Sequence, residues 1–233
     1  MTTGTRALRI AVAGGTLDAD LALPHEPRGI VIFAHGSGSS RRSPRNLHVA
    51  SRLHTHGFGT LLFDLLTPAE QRIDDRTREL RFDVPLLAAR LRAATDALAH
   101  DTSLPRWRGY FGASTGAAAA LVAAAAAPTT IDAVVSRGGR PDLAGTALSG
   151  VRAPTLLIVG GDDPVVLDLN ERALRVLACI KALTVVPGAT HLFEEPGALD
   201  DVCDHATAWF DRHCQTAATG ARTTSQPFPR SKR

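Results

Sequence analysis

The run Gly112-Ala113-Ser114-Thr115-Gly116 follows an apolar stretch, residues 107–111, and opens directly into an alanine-rich segment. A G-x-S-x-G pentad between a strand and a helix marks a sharp, strained turn. Such a turn tolerates almost no side chain two residues before and two residues after the serine. It lifts the serine hydroxyl above the end of its strand and aims the backbone N–H of the next residue, with the positive end of the following helix, at one point in space. Ser114 is therefore the expected nucleophile, and the N–H of Thr115 an expected oxyanion donor.

The rest of the chain supplies partners in a fixed order. Residues 156–159 read as a short buried strand that ends in Gly160-Gly161-Asp162-Asp163-Pro164, and Val185-Val186-Pro187-Gly188-Ala189-Thr190-His191 reads as a second strand whose loop carries a histidine. Serine, then an acid after a later strand, then a histidine after the last strand is the order of an α/β-hydrolase triad. In this reading His191 removes the Ser114 proton during attack on an acyl carbon, while Asp163 fixes the imidazole tautomer and stabilises the imidazolium. Asp162 competes for the acid role. Asp163 is preferred because it lies three residues past Gly160 and immediately before Pro164, as suits a loop residue turning back toward the sheet edge.

A second oxyanion donor belongs on the loop after an earlier strand. Residues 29–34 read as that strand, and His35-Gly36-Ser37-Gly38-Ser39-Ser40 follows it. The N–H of Ser37 is the expected donor, with Gly38 as the alternative. The segment lacks the third glycine of a dinucleotide loop, and no Gly-Lys-Ser/Thr phosphate loop occurs, so phosphate cradling is the weaker account.

On these four segments, with Leu192 and Phe193 completing the last, the sequence resembles the small bacterial α/β-hydrolases grouped with the dienelactone hydrolases. The resemblance spans roughly residues 6–213. It implies a hydrolase fold with a Ser-His-Asp triad, no metal and no organic cofactor. One departure stands out: dienelactone hydrolases proper use a cysteine nucleophile, whereas the elbow here carries Ser114. Lactone specificity therefore does not follow from the resemblance, and ester, thioester and amide substrates are equally open.

A chain of 233 residues, 44% hydrophobic, can bury one sizeable core, and folds of this class and length are commonly one domain. The expected boundaries are a hydrolase domain over residues 1–214 and a disordered basic tail over 215–233, where Arg222, Arg230, Lys232 and Arg233 stand among Thr, Ser, Ala and Pro without apolar periodicity. The start has neither a basic segment nor an apolar h-region, and no run approaches a membrane span, which predicts a cytoplasmic protein without membrane contact. The net charge of +3 raises the question of nucleic acid, but the cations are interspersed with acids and no basic stripe with aromatics occurs, so a small-molecule substrate is expected instead. Cys179, Cys203 and Cys214 are scattered, which argues against a disulfide framework and a zinc site; all three read as structural, Cys214 partly exposed. The histidines other than His191 lack metal-ligand spacing. His35 reads as a structural residue of the oxyanion loop, Trp107 as core, and Asp64 as a turn-stabilising residue near the cleft.

Residues 6–13 and 16–23 alternate around Gly14-Gly15 as an edge hairpin, and residues 29–34, 60–65, 107–111, 131–136, 155–159 and 182–186 complete eight strands. Helical patterns lie near 44–56, 80–100, 114–126, 166–179 and 197–213. The alternation implies a mostly parallel eight-stranded sheet with helices on both faces and the catalytic loops at the carboxyl ends of the strands. The short connection 137–153 leaves no room for a large cap domain, so the site is expected to be open. The charged stretch 67–83 reads as a solvated helix start or loop.

Two groups of arginines are expected at the catalytic edge: Arg41, Arg42 and Arg45 after the oxyanion loop, and Arg137 and Arg140 after the strand ending at 136. Guanidinium forks suit carboxylate or phosphate, so Arg41, Arg137 and Arg140 are candidate ligands for an anionic acyl substrate. The competing expectation is that most are solvated or pair with Asp142, Glu194 or Glu195. The sequence thus points to a serine hydrolase that cleaves a small ester, thioester or lactone through an acyl-enzyme. The alternatives are an acyltransferase or peptidase using the same triad, and an inactive binding protein on the same scaffold.

Overall fold

In the computed structural model residues 3–223 are described, with side chains through Gln215. Strands β1 (Gly4–Val12) and β2 (Gly15–Leu23) form the predicted hairpin. They are followed by β3 (Gly29–Ala34), α1 (Pro44–Thr55), β4 (Phe58–Phe63), α2 (Pro68–Thr77), α3 (Val84–Ala99), β5 (Arg108–Ala113) and α4 (Thr115–Ala126). The chain continues through β6 (Ala133–Arg137), β7 (Thr155–Gly160), α5 (Pro164–Val176), β8 (Lys181–Val186) and α6 (Ala198–Thr223). The eight strands form one sheet in the order β1-β2-β4-β3-β5-β6-β7-β8. The β1–β2 and β2–β4 pairs are antiparallel, and every later pair is parallel.

The alternation of the strands sorts the core into two layers. Ile30, Ile32, Tyr110, Val134 and Leu157 face a layer built with α3, α4 and α5. Val31, Phe33, Phe111, Val135, Leu156 and Ile158 face a second layer built with α1 and α6. Trp107, as expected, lies in that second layer with its ring centroid 5.3 Å from Phe58 and 5.7 Å from Phe210. Helix starts follow local rules: Ser43, Thr67, Asp83 and Asp163 accept backbone N–H groups as N-caps, and each is followed by a proline in the first two helical positions.

Several boundaries differ from the sequence reading. The strand expected to end at 136 includes Arg137, because Ala113 and Arg137 pair in the parallel ladder. The stretch 67–83 is more than a solvated loop: Thr67 and Glu70 form a capping box on α2, and the buried Asp74 carboxylate accepts both the backbone N–H (2.9 Å) and the Nε (2.6 Å) of Arg81. Helix α3 begins at Val84 rather than 80, after a separate 3₁₀ turn at Leu80–Phe82. Cys214 is buried, and burial raises its thiol pKa. Helix α6 passes the expected domain end at 214 and continues to Thr223, while the last ten residues of the expected tail lie outside the described residues. Between β6 and β7 the chain forms only the short segment Pro141–Gly150, packed on α4, so this connection contributes no large cap among the described residues. No helix among the described residues is long and apolar enough to cross a membrane.

Candidate active site

Strand β5 feeds straight into α4, and the junction residue Ser114 has φ 50° and ψ −120°. A non-glycine residue rarely adopts this conformation, and the surroundings hold it there. Its N–H donates to Arg137 O (3.1 Å), and its carbonyl accepts from Ala117 N–H (3.1 Å) and Arg140 N–H (3.2 Å). The flanking glycines are required by contact. A Cβ on Gly112 would stand 2.4 Å from Ala117 Cα, and one on Gly116 would stand 2.2 Å from Ala34 O.

His191 comes from the loop after β8. Phe193, at φ 55° and buried in the α1/α6 layer, anchors that loop from below. His191 Nδ1 lies 2.7 Å from Asp163 Oδ2, and His191 Nε2 lies 3.3 Å from Ser114 Oγ. A carboxylate only accepts, so Nδ1 carries the proton and donates to Asp163, and Nε2 is left to accept from the Ser114 hydroxyl. Of the two candidate acids it is Asp163 that reaches the ring; Asp162 is held instead by its backbone N–H on Ala189 O (2.9 Å). Asp163 also caps α5, its Oδ1 accepting from Val166 N–H (3.4 Å).

The loop after β3 closes the other side. His35 donates from Nδ1 to Gly36 O (2.9 Å) and accepts the Leu65 N–H at Nε2 (3.1 Å), a pairing that needs the neutral ring. Burial lowers the His35 pKa, in keeping with that state. Gly36 is thereby pinned against the elbow: a Cβ there would lie 3.3 Å from Ser114 Cβ. Ser37 lines the cavity beside Ser114, and among the described residues its backbone N–H makes no hydrogen bond. The Thr115 N–H is in the first turn of α4, where helical N–H groups have no intrahelical acceptor.

The arginines separate sharply. Arg41 is held by Asp64 and by Asp20, its Nε 3.1 Å from Asp20 Oδ2. This gives Asp64 the turn-stabilising role expected of it. Arg140 makes a bidentate pair with Asp142 (2.8 and 2.7 Å), and Arg45 Nη1 donates to Glu194 (2.8 Å). Arg41 and Arg140 are thus paired with carboxylates of this chain, and neither lines the cavity that holds Ser114. Arg137 is different: only 7% exposed, it leaves Nη1 buried without a partner among the described residues. Burial depresses its pKa to about 10, with repulsion from Arg45 adding to the effect.

A cavity of about 190 Å³ joins Ser114, His191, Ser37 and Arg137, with Asn46 and Leu192 among its other walls. Asn46 was not foreseen. Its place three residues after the cap Ser43, on the first turn of α1, is the sequence signal that could have found it.

Comparison with known proteins supports this architecture. The model of the Dienelactone hydrolase family matches residues 17–216. A protein of Mycobacterium tuberculosis, named provisionally as a phosphoribosyl transferase, is 62% identical over 196 residues, covering 83% of this chain and 43% of that protein. The chain therefore spans less than half the length of the curated relatives it matches there. The crystal structure of a dienelactone hydrolase from Anabaena variabilis is 56% identical, with TM-score 0.88, and the match covers 91% of this chain and 98% of that one. Est1E from Butyrivibrio proteoclasticus, at 17% identity and TM-score 0.74 over 89% of this chain and 98% of its own, shares the fold.

Proposed function

Because the chain belongs to the dienelactone hydrolase family, a family of carboxylic ester hydrolases, we propose that it is a serine hydrolase that opens a small ester, thioester or lactone through an acyl-enzyme. The observation that carries this reading is the hydrogen-bonded series Ser114, His191, Asp163 on a strained elbow at the carboxyl ends of β5, β7 and β8.

Ser114 Oγ attacks the acyl carbon as its proton passes to His191 Nε2. The negative charge that develops on the carbonyl oxygen is met by the N–H groups of Ser37 and Thr115. Collapse of the tetrahedral intermediate breaks the bond to the leaving group, which takes the proton from His191 Nε2. Water then repeats the sequence against the acyl-enzyme, giving its proton to His191, and Ser114 is regenerated as the acid leaves. Asp163 keeps Nδ1 protonated throughout and stabilises the transient imidazolium.

The test is turnover of short p-nitrophenyl esters by wild type and by Ser114→Ala, Asp163→Asn and His191→Ala, each checked for native circular dichroism. Each variant is expected to lose on the order of 10³-fold or more in kcat. Folded variants that retain wild-type rates would remove the triad assignment.

A further inference from the structure

Resting on the hydrolase reading above, we propose that Arg137 and Asn46 form an anion subsite for the acyl half of the substrate, so that the enzyme favours short acyl chains that end in a carboxylate. Three observations converge on this. The first is a buried cation without a counterion among the described residues. Arg137 lies at the end of β6 with its side chain in the layer between α1 and α6, its Nη1 is buried without a partner, and its charged neighbours are Arg45, which repels it, and the Cys203 thiol. Burial pushes that thiol up to about 12, so Cys203 supplies no negative charge at neutral pH. Folded proteins pair such a cation, because leaving it desolvated and alone is costly. The neighbouring arginines follow that rule with Asp20, Asp64, Asp142 and Glu194; Arg137 does not.

The second observation is position. Arg137 lines the cavity that holds Ser114 and His191, and Asn46, 2% exposed with Oδ1 unpartnered, lines it too. A guanidinium presents two parallel donors that match a carboxylate, and the Asn46 amide can add a further donor through Nδ2, its Oδ1 being an acceptor. The third is size. The cavity holds about 190 Å³, a volume that suits a short acyl chain together with its terminal carboxylate. The ligand is the dicarboxylic half-ester, with its ester carbonyl at Ser114 and its free carboxylate at Arg137.

The experiment compares kcat/KM for mono-p-nitrophenyl glutarate with that for p-nitrophenyl butyrate. Wild type favours the glutarate ester, and the ratio of the two values falls by roughly 10- to 100-fold in Arg137→Met, the loss expected for one charge-assisted pair. Arg137→Lys keeps a cation without the fork and retains part of the preference. An unchanged ratio in Arg137→Met overturns the proposal. A second readout needs no turnover. Glutarate raises the Tm of the Ser114→Ala protein but not that of the Ser114→Ala, Arg137→Met protein, whereas a rise with inorganic phosphate alone overturns the carboxylate assignment. Because this binding is read without chemistry, a protein that binds glutarate yet hydrolyses no ester sinks the hydrolase reading and leaves the subsite standing. A protein that cleaves both esters equally does the reverse.

Discussion

Ser114 holds a backbone conformation, φ 50° and ψ −120°, that only glycine adopts without strain. Tight contacts around Gly112 and Gly116 impose it. The strain belongs to the backbone position of Ser114 rather than to its hydroxyl, so two substitutions that equally remove the hydroxyl are expected to diverge in stability. Ser114→Gly should exceed Ser114→Ala by about 1 kcal/mol in urea unfolding, since glycine relieves the strain and alanine keeps it. Equal midpoints would mean the elbow is unstrained. The meeting of Ser114, Asp163 and His191 was legible in the sequence because each sits just past a short apolar run, beside glycines that mark a turn. The isolation of Arg137 was not. Whether a guanidinium is paired depends on which carboxylates the fold brings beside it, and Asp20, Asp64 and Asp142 reached Arg41 and Arg140 instead.

Strands were readable as elements because burial on both faces demands continuous apolar runs, and helices because their apolar faces repeat. Their ends were harder to place, and one residue was enough to matter. Ending the sixth strand at 136 leaves Arg137 in a loop, whereas the ladder with β5 extends through it and the pleat directs it into the α1/α6 layer. The stretch that becomes α2 was obscured for the opposite reason: its sequence is mostly charged, and its order comes from a capping box and from Asp74 reaching forward to Arg81. Asp74 is 1% exposed, so truncating it strands a cation against α2. Asp74→Ala is expected to lower stability by about 2 kcal/mol, below the range for fully buried pairs because Arg81 keeps some contact with water. Asp74→Ala combined with Arg81→Met should recover part of that loss. A thermal melt of the single and double variants checks both expectations.

Across the whole molecule the two core layers impose different conditions on the site. On the α3/α4/α5 side the buried cation Arg90 is paired with Glu70, whereas the α1/α6 layer ends in Arg137, whose Nη1 has no partner among the described residues. The unpaired cation should therefore weaken the fold. Its folded-state pKa, about 10, is below the ordinary 12.5, so the unfolded chain binds the proton more tightly and the penalty is fully present below about pH 10. Arg137→Met is expected to raise Tm by several degrees at pH 7, and the gain should shrink above pH 10, where the native arginine begins to lose its charge. A lower Tm at pH 7 would indicate an internal counterion.

The backbone of that same residue bears on adaptation. Arg137 O receives the Ser114 N–H (3.1 Å), a contact that any amino acid at this position can supply, while its side chain alone faces the acyl cavity. One codon therefore carries a fixed task and a free one. On the proposed reading, drift at position 137 would retarget the protein from one acid chain to another without disturbing the backbone geometry of Ser114.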